Sequence, residues 1–86
     1  MSEFGFTEHA LRRMRQRGVL REQVEQCIAH PENVFIGHEG RTVCESLVKR
    51  DDGSREILRV VVDHGESPPV VVTVLLESNL SRFGGR

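Results

Sequence analysis

Residues 55–63 read REILRVVVD, and residues 69–77 read PVVVTVLLE. Both runs are β-branched and nearly continuous in apolar character, which is the signature of strands covered on both faces rather than of amphipathic helices. The loop HGESPP (64–69) separates them. Upstream, DDGS (51–54) is a hairpin turn, because Asp and Gly tolerate the positive φ such turns need. Before it RTVCESLVK (41–49) alternates well enough for a further strand, and NVFIG (33–37) is a short one. The second half of the chain therefore reads as a meander of three or four antiparallel strands.

The first half has the other periodicity. In FTEHALRRMRQRG (6–18) Thr7 stands as N-cap, Glu8 places an acid in the first turn, and Gly18 can close the helix in the left-handed conformation. Phe6 and Leu11 are spaced as a hydrophobic staple. Ala10, Leu11 and Met14 form the apolar stripe, with His9, Arg13 and Arg17 along its border and Arg12 and Arg15 turned more freely to water. A second helix fits Arg21 to about His30, with Val24, Cys27 and Ile28 at helical spacing and Pro31 ending it. Leu20 occupies its N-cap, where Ser, Thr or Asp would serve better. The expected architecture is α+β: two N-terminal helices packed on one face of a three- to four-stranded antiparallel sheet.

Eighty-six residues allow one domain, with a core over about residues 6–77 and a loose tail, SNLSRFGGR (78–86), from which Phe83 could dock. A chain of this size buries only about 60–65% of its unfolded surface. With no Trp or Tyr, its core rests on Val, Leu, Ile and four Phe. A homodimer is one way to cover what is left. The chain has no apolar run of the ~20 residues that span a bilayer. Its N-terminus lacks a signal-peptide layout, and Cys27 and Cys44 are isolated and read as reduced core residues. The expected compartment is the cytoplasm.

Net charge is −1, unlike a strongly basic nucleic-acid binder, yet the charge is uneven. From His9 to Arg21 there are five arginines and no acid. Further along, polar residues interrupt apolar strands at Glu45, Arg59 and Thr73; side-chain alternation could bring these onto one face of the sheet. Arg59 and Glu45 would then be a cross-strand ion pair, Thr73 an ordinary β-former, and the arginine row a solvated helix face. His9 is harder to explain as structure, because the positive end of a helix dipole disfavours imidazolium. The four histidines are scattered, with no HxxxH pair, and no Gly-rich loop opens a helix, so neither metal nor cofactor is expected.

HALRRMRQRG (9–18) resembles a family of small bacterial domains of unknown function with the pattern H-A-x-x-R-M-x-x-R-G. AHPENV (29–34), GRTV (40–43), LRVVVD (58–63) and VVVTV (70–74) extend the likeness over roughly Phe6 to Glu77. Leu20 departs from it, since a Ser or Thr cap is usual there. That family is similar to the RelE/barnase-type fold, many of whose members are metal-independent ribonucleases, including toxins of toxin–antitoxin pairs and of bacterial competition systems. The resemblance implies a site of His9, Arg13 and Arg17 on the helix, Arg59 in the third strand and Thr73 in the last. It implies RNA as ligand, and an antitoxin or immunity protein as partner.

The residue types suit that chemistry. Attack by a ribose 2′-hydroxyl needs a proton acceptor, a donor to the leaving 5′-oxygen, and cations on the phosphorane. Histidine can take either proton role. Arginines such as Arg12, Arg13 and Arg17 clamp phosphate oxygens and meet developing charge. No second proton donor stands out; His64 is a candidate in a loop. A binding module without turnover, for RNA or protein, and a structural domain without ligand are the other expectations.

Overall fold

The structure, a computed structural model, describes residues 4–84. Thr7 opens the first helix as expected: its side chain accepts from the Ala10 N–H, and α1 (Glu8–Arg17) runs from there to Gly18. Gly18 takes φ 67°, and its N–H caps the Met14 carbonyl. A side chain there would be strained by the backbone conformation alone. The second helix, α2 (Arg21–Ala29), starts at Leu20 with no side-chain cap. Gln23 supplies half of a capping box instead, its Oε1 accepting from the Leu20 N–H at 2.9 Å.

The strands follow their predicted runs: β2 (Asn33–Ile36), β3 (Thr42–Lys49), β4 (Arg55–Asp63) and β5 (Val70–Glu77). These four pair antiparallel in sequence order. One further strand changes the expected sheet. Gly5–Phe6 forms β1, which pairs in parallel with Val70 and Val71 of β5. The sheet is thus five-stranded and mixed, in the order β1-β5-β4-β3-β2. Two residues before a helix cap show no alternation, so β1 has no signature of its own in the sequence.

Both helices pack on one face of this sheet. The core unites Ala10 and Met14 of α1, Val24 and Cys27 of α2, and Cys44, Leu58, Val60, Val62, Val71 and Val74 of the sheet. The other face is also partly closed: Ile57 is fully buried there, and Val43 nearly so. Its cover is the closing segment. Leu80–Arg82 forms a 3₁₀ turn, and the chain then crosses the sheet to place the Gly84 N–H on Glu45. The segment expected as a loose tail is, over its described part, a strap; residues 85 and 86 lie outside the described residues.

No described helix is long and apolar enough to cross a membrane. Cys27 and Cys44 are buried and free. Burial pushes the Cys27 thiol up to about 11, a hydrogen bond with Ser46 offsetting it only in part. Such a thiol is protonated at neutral pH and behaves as a small core hydrophobe.

Candidate functional site

The residues singled out by sequence separate into two groups. The first lies on the sheet face away from the helices. Glu45, Arg59 and Leu75 stand directly opposite one another on β3, β4 and β5, so the expected Glu45–Arg59 pair forms. Arg59 Nε donates to Glu45 Oε2 at 2.8 Å, with side-chain exposures of 17% and 0%. The other carboxylate oxygen accepts from Asn33 Nδ2 at 2.9 Å and from the Gly84 N–H at 2.6 Å. Arg59 Nη2 donates to the Arg82 carbonyl at 2.7 Å.

Burial alone would raise the Glu45 carboxyl. The hydrogen bonds from Gly84, Asn33 and Arg59, with the charge of Arg59, outweigh it and hold the group below the ordinary carboxylate range. A buried anion with every oxygen bound is a closed arrangement. Asn33 and the strap carried no pattern in the sequence that would have marked them as members; the visible signal was a charge inside each of two apolar strands.

The second group is open. Thr73 pairs with Val61, one diagonal step from Arg59. The ladder slips beside it, Val62 pairing with Val71, so that Val72 is an extra residue in β5. A bulge of this kind re-aims side chains, and the Thr73 hydroxyl meets α1 rather than Arg59. His9 Nε2 lies 3.0 Å from Thr73 Oγ1. Thr7 fixes this junction from the other side, its hydroxyl donating to the Val72 carbonyl at 2.8 Å and its N–H to the Val71 carbonyl at 3.1 Å. His9 itself is exposed.

Arg13 and Arg17 continue the same border of α1 at steps of four residues, about 6 Å apart along the axis. Arg12 and Arg17 are exposed and Arg13 is half-buried. The ion pairs among the described residues involve Arg21, Arg41, Arg50, Arg59 and Arg82, and none involves Arg12, Arg13, Arg15 or Arg17. The Nε of Arg13 is buried without a hydrogen-bond partner. One more cation joins the far end of the helix: Arg50 Nη2 donates to the Arg17 carbonyl at 3.0 Å.

A cleft of about 610 Å³ between α2 and β3, lined by Leu20, Gln26, Cys27, His30, Ser46 and Val48 among others, contains no member of either group. His64, the other proton-transfer candidate, is exposed in the loop after β4. Among the described residues no three His, Cys, Asp or Glu side chains converge as metal ligands would.

An exposed imidazole on a threonine hydroxyl, beside arginines with no acid partner among the described residues, can accept a proton and hold anionic oxygens at a few ångströms' spacing. Neither the curated proteins nor the solved structures contain a match to this chain. A family model does match, over residues 6–75, from the staple residue Phe6 through α1, Glu45, Arg59 and Thr73 to most of β5. The chain belongs to the DUF4258 family, described as a domain of unknown function.

Proposed function

We propose that this domain binds RNA along α1 and cleaves it without a metal, by attack of a ribose 2′-hydroxyl on the adjacent phosphate. The observation that carries the reading is the border of α1: His9 on Thr73 at 3.0 Å, followed by Arg13 and Arg17, which have no acid partner among the described residues. Sequence resemblance to RelE/barnase-type ribonucleases, and helices packed on one face of a sheet, support the same reading.

The steps are as follows. His9 accepts the 2′-hydroxyl proton as the 2′-oxygen bonds to phosphorus. Arg13 and Arg17 meet the charge on the phosphorane. The bond to the 5′-oxygen then breaks, and that oxygen takes a proton from the imidazolium or from water. The products are a 2′,3′-cyclic phosphate and a 5′-hydroxyl end. Thr73 orients the imidazole. Arg59, with Nε on Glu45 and Nη2 on the strap, holds the sheet face together in this scheme and touches no substrate.

A second reading, RNA binding without turnover, is favoured by one observation. Glu45, the carboxylate paired with Arg59, is fully buried, held below the ordinary carboxylate range and bound on both oxygens, and so offers no second proton donor. Incubating end-labelled RNA with the protein in EDTA separates the two. The cleavage reading expects cyclic-phosphate ends from the wild type and none from His9→Ala. Salt-dependent binding with no cutting by either protein would leave the binding reading alone standing.

A further inference from the structure

The α1 border runs beside a second feature that the RNA reading does not use. β1 pairs with β5 only at Val70 and Val71. The chain then leaves the sheet, with the Thr7 hydroxyl covering the Val72 carbonyl. From Thr73 to Glu77 the outer side of β5 has no strand partner among the described residues. Main-chain groups on such an edge face water or another strand. Natural proteins blunt exposed edges with Lys, Pro, inward charge, bulges or a covering element. The bulge of β5 lies before this stretch, at Val72, and Thr73–Leu76 itself reads Thr-Val-Leu-Leu, with no Lys, Pro or charge. Leu75 is 38% exposed on the face away from the helices.

We propose that this edge receives an extended acidic segment of a partner protein, which adds to the sheet as a strand and lays its carboxylates on Arg13 and Arg17. The charge of the occupant follows from what borders the edge. Among the described residues Arg13 and Arg17 have no acid partner, and the Arg13 Nε is buried without a hydrogen-bond partner. The acids of this neighbourhood do not answer them: Glu8 is exposed in the first turn of α1, and Glu77 is taken by Arg82 and the Asn79 N–H.

Spacing fixes the pattern. Successive members of the His9–Arg13–Arg17 row rise about 6 Å. Alternate residues of a strand advance about 6.7 Å. Where α1 runs alongside β5, a strand added there therefore stays within about 1.4 Å of the row over its two steps if every second residue, on the helix side, is acidic. The residues between them face Leu75 and should be apolar. The opposite edge of the sheet provides an internal contrast: β2 also exposes apolar side chains, Val34 and Ile36, but no unpaired arginine row flanks it.

Since Arg13 and Arg17 also serve the RNA reading, the partner would compete with RNA; that consequence alone rests on the proposed function. The test uses the full chain and three labelled twelve-residue peptides of equal charge. One alternates Glu with Val or Thr, one has the same sequence interrupted by a central Pro, and one groups its acids at one end. Binding is followed by fluorescence anisotropy, and amide exchange by NMR.

The alternating peptide should bind at least tenfold more tightly than both controls and slow exchange at Thr73–Leu76 but not at Val34–Ile36. The double variant Arg13→Glu/Arg17→Glu should weaken it at least tenfold. Equal binding of all three peptides, no binding, or protection at β2 would overturn the proposal. RNA run in parallel distinguishes the two ideas. Peptide addition without RNA binding removes the RNA reading and leaves the edge; RNA binding without peptide addition does the reverse.

Discussion

Two groups of charged side chains in this small molecule, one under the strap and one along α1, differ in how completely their charges are answered. Under the strap, Glu45 is fully buried, and Asn33, Arg59 and Gly84 supply it with three hydrogen bonds. Along α1, Arg12, Arg13, Arg15 and Arg17 have no acid partner among the described residues, and the Arg13 Nε is buried without a hydrogen-bond partner there. Closed networks of the first kind rigidify a fold, and they cost heavily if half removed. An unanswered row of the second kind adds little to stability and leaves its binding capacity for a ligand. The contrast assigns stability to one group and recognition to the other.

The largest expected effect breaks the closed group. Glu45→Ala leaves Arg59 partly buried with nothing opposite, and removal of one partner of a buried pair costs about 3–5 kcal/mol. Urea unfolding should show this as a large fall in midpoint, while Arg17→Ala, at an exposed position, should leave the unfolding free energy within about 0.5 kcal/mol of wild type. Comparable losses from the two would erase the distinction. Acid reads the same group more gently. Its folded-state carboxyl is held below the ordinary value, so its contribution is fully present above the unfolded-state value of about 4.3 and is lost as pH falls through the lower folded value. Stability should decline below about pH 4.5 in the wild type, and Glu45→Gln should remove that share of the decline.

Smaller effects sharpen the junction between the groups. Thr7 caps α1 and also fastens it to Val72. Thr7→Ala should cost about 1–2 kcal/mol, at the upper end for a lost cap, and should slacken the His9–Thr73 contact, read as a change in the His9 imidazole shifts by NMR. Leu20, 59% exposed at the head of α2, is an unused cap position. Leu20→Ser should raise stability by about 0.5–1 kcal/mol and leave RNA binding unchanged.

Much of this fold could be read from local chemistry. Thr7, Gly18 and Pro31 punctuate the helices, and the β-branched runs of β4 and β5 mark the strands, with cover on both faces realised at Ile57 and Leu58 but not at Leu75. The parity of Glu45 and Arg59 in their strands anticipated their pairing. Three elements lay beyond such reading. β1 is too short to show a period. The bulge at Val72 sits inside Val-Val-Val, where one extra residue changes no pattern; it lies beside Thr73, whose hydroxyl meets His9. The strap has no periodicity, and only Phe83 hinted that it would dock. Of the candidate site, the i, i+4, i+8 row of His9, Arg13 and Arg17 was legible from helical spacing. That its arginines lack acid partners depends on where β3, β4 and the strap place their acids, which is a property of the whole fold.

The most direct test of the division between the two groups is the salt dependence of RNA binding. Labelled single-stranded RNA would be titrated with wild type, Arg13→Ala/Arg17→Ala and Arg59→Lys between low and moderate salt. Each lost phosphate contact lowers the slope of log K against log salt by about 0.7 for a single strand. The account predicts a slope reduced by about 1.4 in the double variant and an unchanged slope in Arg59→Lys. An unchanged slope in the double variant, or a reduced one in folded Arg59→Lys, would contradict it.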